Sequence, residues 1–226
     1  MIVVLTFDKP HRKTQDLVLQ LLARGYKPMV VAREYVVRKN FVPIIPHRPS
    51  RPIDIDPKTM CKNLALDYVE THSTCLANTL KGINGIQCIL LASGNIVEAQ
   101  IVQQYRVLNA HPAWLPDVKG LDALKWSIYH DEIIGVTTHR VNEEIDSGIL
   151  IERKKVPVFV NDTFHMVAYR QYEMEISMLI DSISAHPEDT VIGSSKHEVF
   201  RRMPHRIERE LMHCFDLYKA KHAVHN

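Results

Sequence analysis

Asn109, His111 and Asp146 have the types and the order that transfer of an acyl group to an amine would need. An apolar run, Val107-Leu108, leads into Asn109-Ala110-His111-Pro112-Ala113-Trp114-Leu115-Pro116, with Gly120 a few residues on. Side chains two apart on an extended chain face the same side. Asn109 and His111 therefore project together from a strand end. Asp146 follows in Glu144-Ile145-Asp146-Ser147-Gly148, a tight turn that can return beside the first segment. Attack of an amine on a carbonyl carbon puts negative charge on the oxygen, and one donor aimed at that oxygen is worth about 3 kcal/mol. The Asn109 amide and a protonated His111 are such donors. A carboxylate near His111 favours the imidazolium and, directly or through a water, accepts the proton leaving the amine. This chemistry requires neither a metal nor a covalent intermediate. The other histidines lack ligand spacing, and His139, on an alternating strand, reads as structural.

These residues need a frame that gathers strand ends. Residues 2–7 are apolar and β-branched, as in a strand buried on both faces. Residues 14–24 carry leucines at helical spacing, Gly25 stops the helix, and Met29-Val30-Val31 gives a second strand. Strand, helix, strand makes a βαβ unit. His47-Arg48-Pro49-Ser50-Arg51-Pro52 supports neither ladder nor helix and reads as a loop. Helices are expected over 58–66 and 74–80, strands over 86–91 and 106–108. Two more strands, 134–141 and 149–160, flank the Asp146-Ser147-Gly148 turn. A long amphipathic helix is expected over 162–183 and a terminal one over 204–221. The expected fold class is α/β, a Rossmann-like, mostly parallel sheet with helices on both faces. Residues 1–190 form the catalytic domain of this reading and 191–226 a helical C-terminal tail. Ligands of such sheets bind at the carboxyl ends of the strands. No Gly-x-Gly-x-x-Gly follows a strand, which sets aside a dinucleotide oxidoreductase.

Composition narrows the class further. The chain has 226 residues, 46% hydrophobic and 24% charged, with a formal charge of +2. That is ordinary for a globular protein, and it gives no sign of a nucleic-acid partner. Cys61, Cys75, Cys88 and Cys214 form no Cys-x-x-Cys pair, and Cys88 lies in an apolar run, as expected of reduced thiols in a cytoplasm. The first apolar run is short and has no basic segment before it, so it reads as a strand rather than a signal peptide. No stretch approaches the roughly 20 apolar residues of a membrane span. A cytoplasmic protein without membrane attachment is expected.

The ordered set resembles the folate-dependent formyltransferases: glycinamide ribonucleotide transformylase, methionyl-tRNA formyltransferase and the sugar N-formyltransferases. Their pattern is Asn-x-His-Pro-Ser-Leu-Leu-Pro, a Gly, and then Asp-x-Gly after a Gly-Val-Thr-x-His strand. Here it reads Asn109 to Pro116, Gly120, Gly135-Val136-Thr137-Thr138-His139 and Asp146-Ser147-Gly148. Residues 85–160 match closely and the rest in layout. Ala113 stands for the usual Ser and Trp114 for the usual Leu, changes that reshape a wall without removing a catalytic group. The resemblance implies N10-formyltetrahydrofolate as formyl donor and Asn109, His111 and Asp146 as catalytic residues. In the family, backbone after the strand before Asn-x-His and in the loop before the Asp holds the pterin ring. That implies donor-binding roles for Leu91, Ser93 and Gly94, and for Val141, Asn142, Glu143 and Glu144.

The acceptor leaves fewer marks. Lys9-Pro10-His11-Arg12-Lys13-Thr14 opens the first helix, where anions are attracted. It reads either as a seat for substrate phosphates or as a solvated basic turn, with Asp8 as the one competing carboxylate. Arg48 and Arg51 in the proline-rich loop offer a second anionic anchor. Trp114 is a candidate to stack on a base or sugar, whereas Trp126, at helical spacing, reads as core. Glycinamide ribonucleotide transformylases carry a Gly-rich, Ser-Asn phosphate loop where this chain reads Thr6 to Arg12. Methionyl-tRNA formyltransferases carry a C-terminal β-barrel where this chain has a helical tail, and formyltetrahydrofolate hydrolases carry an N-terminal regulatory domain. In layout the resemblance is greatest to sugar N-formyltransferases. It implies an amino sugar linked to a nucleotide as acceptor, in polysaccharide biosynthesis; from their charge and ring chemistry, His11, Arg12, Lys13, Arg48 and Trp114 are the residues expected to contact it. Glycinamide ribonucleotide as acceptor, or a silent binding module of the same fold, are the alternatives.

Overall fold

The structure, a computed structural model, describes residues 1–35, 41–49, 53–93, 97–185 and 190–225. In chain order the elements are β1 (Ile2–Phe7), α1 (Arg12–Ala23), β2 (Met29–Arg33), α2 (Pro57–Asn63) and β3 (Tyr68–Thr71). A 3-10 turn (Ser73–Cys75) then leads into α3 (Leu76–Lys81), β4 (Cys88–Leu91), α4 (Ala99–Gln104), β5 (Val107–His111) and α5 (Ala123–Tyr129). The chain continues through β6 (Gly135–Val141), β7 (Gly148–Lys155), α6 (Phe164–Asp181), α7 (His205–Glu208) and α8 (Leu211–His222). One sheet has the order β3-β2-β1-β4-β5-β6-β7. Its first five strands run parallel, and β6 runs antiparallel to both β5 and β7. This is the expected mostly parallel α/β sheet.

Helices cover both faces. On one, Val4, Val30 and Leu90 of the sheet pack with Leu17, Val18 and Leu21 of α1 and with Val167, Ile176 and Leu179 of α6. On the other, Val3, Leu5 and Ile89 pack with Leu76 and Leu80 of α3 and Ile101 of α4. Strands buried on both sides are the reason their sequences read as continuous apolar runs. Asp56 caps α2 by accepting from the Thr59 amide at 2.9 Å, with Pro57 at the first helical position. Thr163 caps α6 through the Met166 amide at 3.2 Å.

Several boundaries differ from expectation. β3 and α4 carry too few apolar residues to announce themselves. β5 extends to His111, beyond the expected 106–108, because β6 pairs with it: Asn109 opposes His139 and His111 opposes Thr137. β7 stops at Lys155, two residues before Pro157, and the expected terminal helix is two, α7 and α8. Residues 190–225 lie against the sheet domain. Met203, Leu211, Phe215 and Tyr218 enter the α1–α6 core, Val191 bridges to Ile149, and Phe200 bridges to Gly120. All four cysteines are free. Among the described residues no helix is long and apolar enough to cross a membrane.

Candidate active site

Asn109 and His111 occupy alternate positions near the end of β5, so both side chains leave the same face of the sheet. His111 is buried. It donates from Nε2 to the Val118 carbonyl at 3.0 Å, and its Nδ1 lies 3.2 Å from Oδ1 of Asp146. Both ring nitrogens therefore face oxygen acceptors, an arrangement that only the imidazolium satisfies in full. The other carboxylate oxygen of Asp146 accepts from the Gly120 amide at 2.7 Å. Burial pushes the Asp146 carboxyl up. The charge and hydrogen bond of His111 and the Gly120 N–H outweigh that and bring it down to about 2.

Two glycines make this geometry possible. Asp146 itself has φ 46°, and Gly148, which follows in the turn, has φ 117°. A Cβ at Gly148 would lie 2.0 Å from the Arg140 carbonyl oxygen. Gly120 has φ 100°, and a Cβ there would lie 2.2 Å from the Phe200 carbonyl oxygen. The 142–147 turn and the 117–121 segment can thus close on Asp146 only without side chains at these points. Thr137 fixes the segment after His111: its hydroxyl donates to the Ala113 carbonyl at 2.8 Å and accepts from the Leu115 amide at 3.0 Å.

His139 does more than fill the sheet. Its Nδ1 donates to the Ser147 carbonyl at 2.8 Å, which leaves Nε2 to accept from the Asn109 amide nitrogen at 3.2 Å. Burial is the main cause that takes its pKa down to about 4, so the ring is neutral near pH 7. His139 thereby decides which end of the Asn109 side chain is the amide nitrogen, and leaves the second N–H of that nitrogen for a ligand. A register irregularity at Thr138/His139 in the β6–β7 ladder accompanies this placement. Sequence alternation gave His139 only a structural reading. Its signal was its cross-strand position opposite Asn109.

Two cavities meet at these residues. A narrow chamber of about 120 Å³ is lined by Leu91, Ser93, Val141, Asn142, Glu143 and Glu144, together with Asn109, His139 and Asp146. All the expected donor-binding residues but one are gathered there. Gly94, the remaining one, lies outside the described residues. A wider cleft of about 810 Å³ adjoins it. Ser93, Asn109, Ile145 and Asp146 line both.

The lining of the cleft has two parts. One carries His11, Arg12, Lys13 and Arg48, all expected on the acceptor. Their charge differs from expectation, since Asp8 is not the only carboxylate near them. Lys13 and Arg48 both pair with Glu175 of α6, at 2.7 and 2.9 Å, and Arg12 pairs with Asp16 at 2.7 Å. Glu175 is 2% exposed, and burial raises its pKa, but the two cations hold it low. His11 is brought down to about 4 by burial, then by Lys13 and Arg48. A second part of the lining was not legible in sequence. It consists of Leu121, Asp122 and the Val199–Arg202 segment. Asp122 anchors it by accepting from Arg202 at 2.6 Å and the Met203 amide at 3.0 Å. Arg201 has no side-chain hydrogen bond or ion pair among the described residues. Trp114, expected on the acceptor, lines neither cavity. The Arg153 guanidinium lies 5.0 Å from its ring, and a Cβ at Gly135 would come within 3.1 Å of it. Trp126 is core, stacked on Phe200 at 4.7 Å.

Residues 50–183, more than half of the chain, match the family model described as formyl transferase. A phosphoribosylglycinamide formyltransferase of Haemophilus influenzae is 34% identical over 90 residues, which is 38% of this chain and 42% of that protein. The chain thus spans less than half the length of that curated relative. A sugar N-formyltransferase from Shewanella sp. superposes with a TM-score of 0.61 at 17% identity, covering 94% of this chain and 87% of the other. A formyltransferase from Anoxybacillus kamchatkensis, in complex with UDP-4,6-dideoxy-4-formamido-L-AltNAc and tetrahydrofolate, superposes with a TM-score of 0.53 at 19% identity. That superposition covers 87% of this chain and 85% of the other. At these identities the structural likeness shows the fold.

Proposed function

The chain belongs to the formyl transferase family, and from that premise we propose that it moves the formyl group of N10-formyltetrahydrofolate to the amino group of a nucleotide-linked amino sugar. One observation carries the reading: the narrow chamber and the wide cleft meet at Asn109 and Asp146. A two-substrate transfer needs such a plan, with one reactant on each side of the catalytic groups. The formyl donor fits the narrow chamber. Leu91, Ser93 and residues 141–144 line it, and the Ser93 hydroxyl has no hydrogen-bond partner among the described residues. Bound there, the donor supplies an activated formyl carbon.

The chain's own groups supply the rest. The second N–H of Asn109 points to where oxygen charge develops, and the His111 imidazolium holds positive charge beside it. Asp146, ionised at neutral pH and held by Gly120, takes the proton that the attacking amine loses. The acceptor amine enters from the cleft, with its anionic part toward the cations on the flanks. Because Lys13 and Arg48 share Glu175 and Arg12 has Asp16, we assign the main phosphate contact to Arg201, with the His11–Lys13 turn and Arg48 adding the single charge left over. The amino-sugar acceptor is supported by the likeness to sugar N-formyltransferases over nearly the whole chain. The Haemophilus relative favours a second acceptor, glycinamide ribonucleotide.

The test is direct. Purified protein is incubated with N10-formyltetrahydrofolate and a panel of nucleotide-linked amino sugars plus glycinamide ribonucleotide. Products are then followed by mass for the gain of one formyl. Formylation of an amino-sugar nucleotide is expected. A better rate with glycinamide ribonucleotide would replace the acceptor class, and no product from any amine would remove the reading.

A further inference from the structure

At the junction of the two cavities one buried polar group has no partner among the described residues. Ser93 is 4% exposed, and its Oγ meets no hydrogen-bond partner there. The other polar side chains there are engaged, Asn109 with His139 and Asp146 with His111 and Gly120. A buried hydroxyl left unpaired costs about 1–3 kcal/mol. Such a cost is consistent with a group that a ligand completes. Ser127 Oγ is also unpaired, but it lines neither cavity, so what distinguishes Ser93 is its place.

We infer that the Ser93 hydroxyl donates a hydrogen bond to the formyl oxygen during transfer, as a second donor beside the Asn109 amide. This rests on the formyl-transfer reading above. As the acceptor nitrogen bonds to the formyl carbon, the carbonyl electron pair moves onto oxygen. When the pair returns, the bond from that carbon to N10 of the donor breaks. The one proton lost by the amine ends on N10, by way of Asp146. Full charge sits on the oxygen only between those two events. A donor aimed at it therefore acts on the transition state more than on binding. The Asn109 amide already gives one N–H to His139 and keeps one for this oxygen. Ser93, which lines both the donor chamber and the acceptor cleft, borders the path along which the oxygen must lie. The role assigned here belongs to the hydroxyl and is separate from any pterin contact of the Ser93 backbone.

The hydroxyl bonds nothing among the described residues, so Ser93→Ala is expected to remove an unsatisfied group and leave folding intact. Thermal stability of the variant is expected to equal or exceed that of the wild type. Tetrahydrofolate affinity by calorimetry is expected to be unchanged, and kcat to fall about 10²–10³-fold, the usual loss for one oxyanion donor. Ser93→Cys, which keeps a weak donor, is expected to fall between. A kcat equal to that of the wild type overturns the inference. So does an unchanged kcat with weakened tetrahydrofolate binding, which would make the hydroxyl a ground-state contact. A large drop in melting temperature overturns it as well, because the hydroxyl would then be structural. A wild type that binds tetrahydrofolate and formylates no amine removes the formyl-transfer reading itself, and the inference with it.

Discussion

The two sides of the wide cleft are built on different principles. On the side proposed to be catalytic, Asn109 and His111 sit two residues apart on one strand, and their partners come from the neighbouring ladder: His139 opposite Asn109, and Asp146 from the turn that ends the same strand. Every group there is held by backbone, by a cross-strand neighbour or by the turn that follows that strand. On the acceptor side, charges are set by pairs distant in sequence. Arg48 of a loop and Lys13 of α1 share Glu175 of α6, and Asp122 fastens a segment eighty residues away. A site carried on one ladder can be read from spacing. A flank assembled from remote ion pairs cannot, because its net charge depends on who meets whom.

The largest effects are expected on the catalytic side. On the proposed mechanism Asn109→Ala removes a donor to the oxygen, and kcat should fall about 10²–10³-fold. His111→Ala and Asp146→Asn should fall about 10²–10⁴-fold through lost proton transfer and orientation. Circular dichroism should remain that of the wild type for Asn109→Ala. Near-normal kcat with saturating donor in either Asn109→Ala or His111→Ala would show that the chemistry is elsewhere.

The turn glycines come next. Gly148→Ala would drive a Cβ into the Arg140 carbonyl at a φ that side chains rarely adopt. Strain of this kind costs roughly 1–3 kcal/mol if the backbone holds. If the backbone yields instead, Asp146 moves away from His111. Either way melting temperature and kcat should both drop, and a variant that keeps both would mean that the turn is not what positions Asp146.

These examples also show what spacing alone reveals. The βαβ start, the strands beside the site and the long α6 were legible because apolar runs and helical periodicity are local. The placement of Asn109 and His111 near one strand end, and of Asp146 in a later turn, was legible for the same reason, since it follows from residue order. His139 was underread, since its importance lies in the Asn109 amide across the ladder. Trp114 was overread, because an aromatic near a site was taken for a stacking surface when it lines neither cavity and the Arg153 guanidinium already lies over its ring. The role of Val199–Arg202 had no local signal, as it depends on Asp122 holding that segment to the cleft.

Acid should separate the two supporting carboxylate and imidazole positions. His139 has a folded pKa of about 4, below its unfolded value near 6.5. The unfolded chain therefore binds the extra proton first as pH falls. His139 contributes its full stability above about pH 6.5, and the contribution is lost between there and about pH 4, roughly 3 kcal/mol in all. Asp146 is also depressed, to about 2. Its contribution is present above its unfolded pKa near 4 and is lost only as pH falls from there toward 2. Denaturant midpoints measured from pH 7 to pH 4 should decline in the wild type, and His139→Asn should flatten part of that decline. Asp146→Asn should leave it intact. Identical slopes in wild type and His139→Asn would mean that the ring is already charged in the folded protein.

The smallest expected effect lies on the acceptor side, and it bears most directly on the comparison. Arg12 is half-exposed and already paired with Asp16, while Arg201 is exposed and lacks a carboxylate among the described residues. An exposed cation that meets a phosphate contributes about 0.5–1 kcal/mol, which is a two- to five-fold change in affinity and is screened by salt. Arg201→Ala should therefore raise the acceptor KM several-fold at low ionic strength, leave the KM of the folate unchanged, and lose its effect at high salt. Arg12→Ala should do less, since its charge is largely cancelled by Asp16 before the acceptor arrives. Arg48→Ala should act differently again. It leaves Glu175 with Lys13 alone, so it removes a cation and exposes an anion, and stability should fall along with acceptor affinity. If Arg12→Ala proves the more damaging of the first two, the Asp16 pair must open on binding, and the phosphates then rest on the first helix rather than on the C-terminal segment.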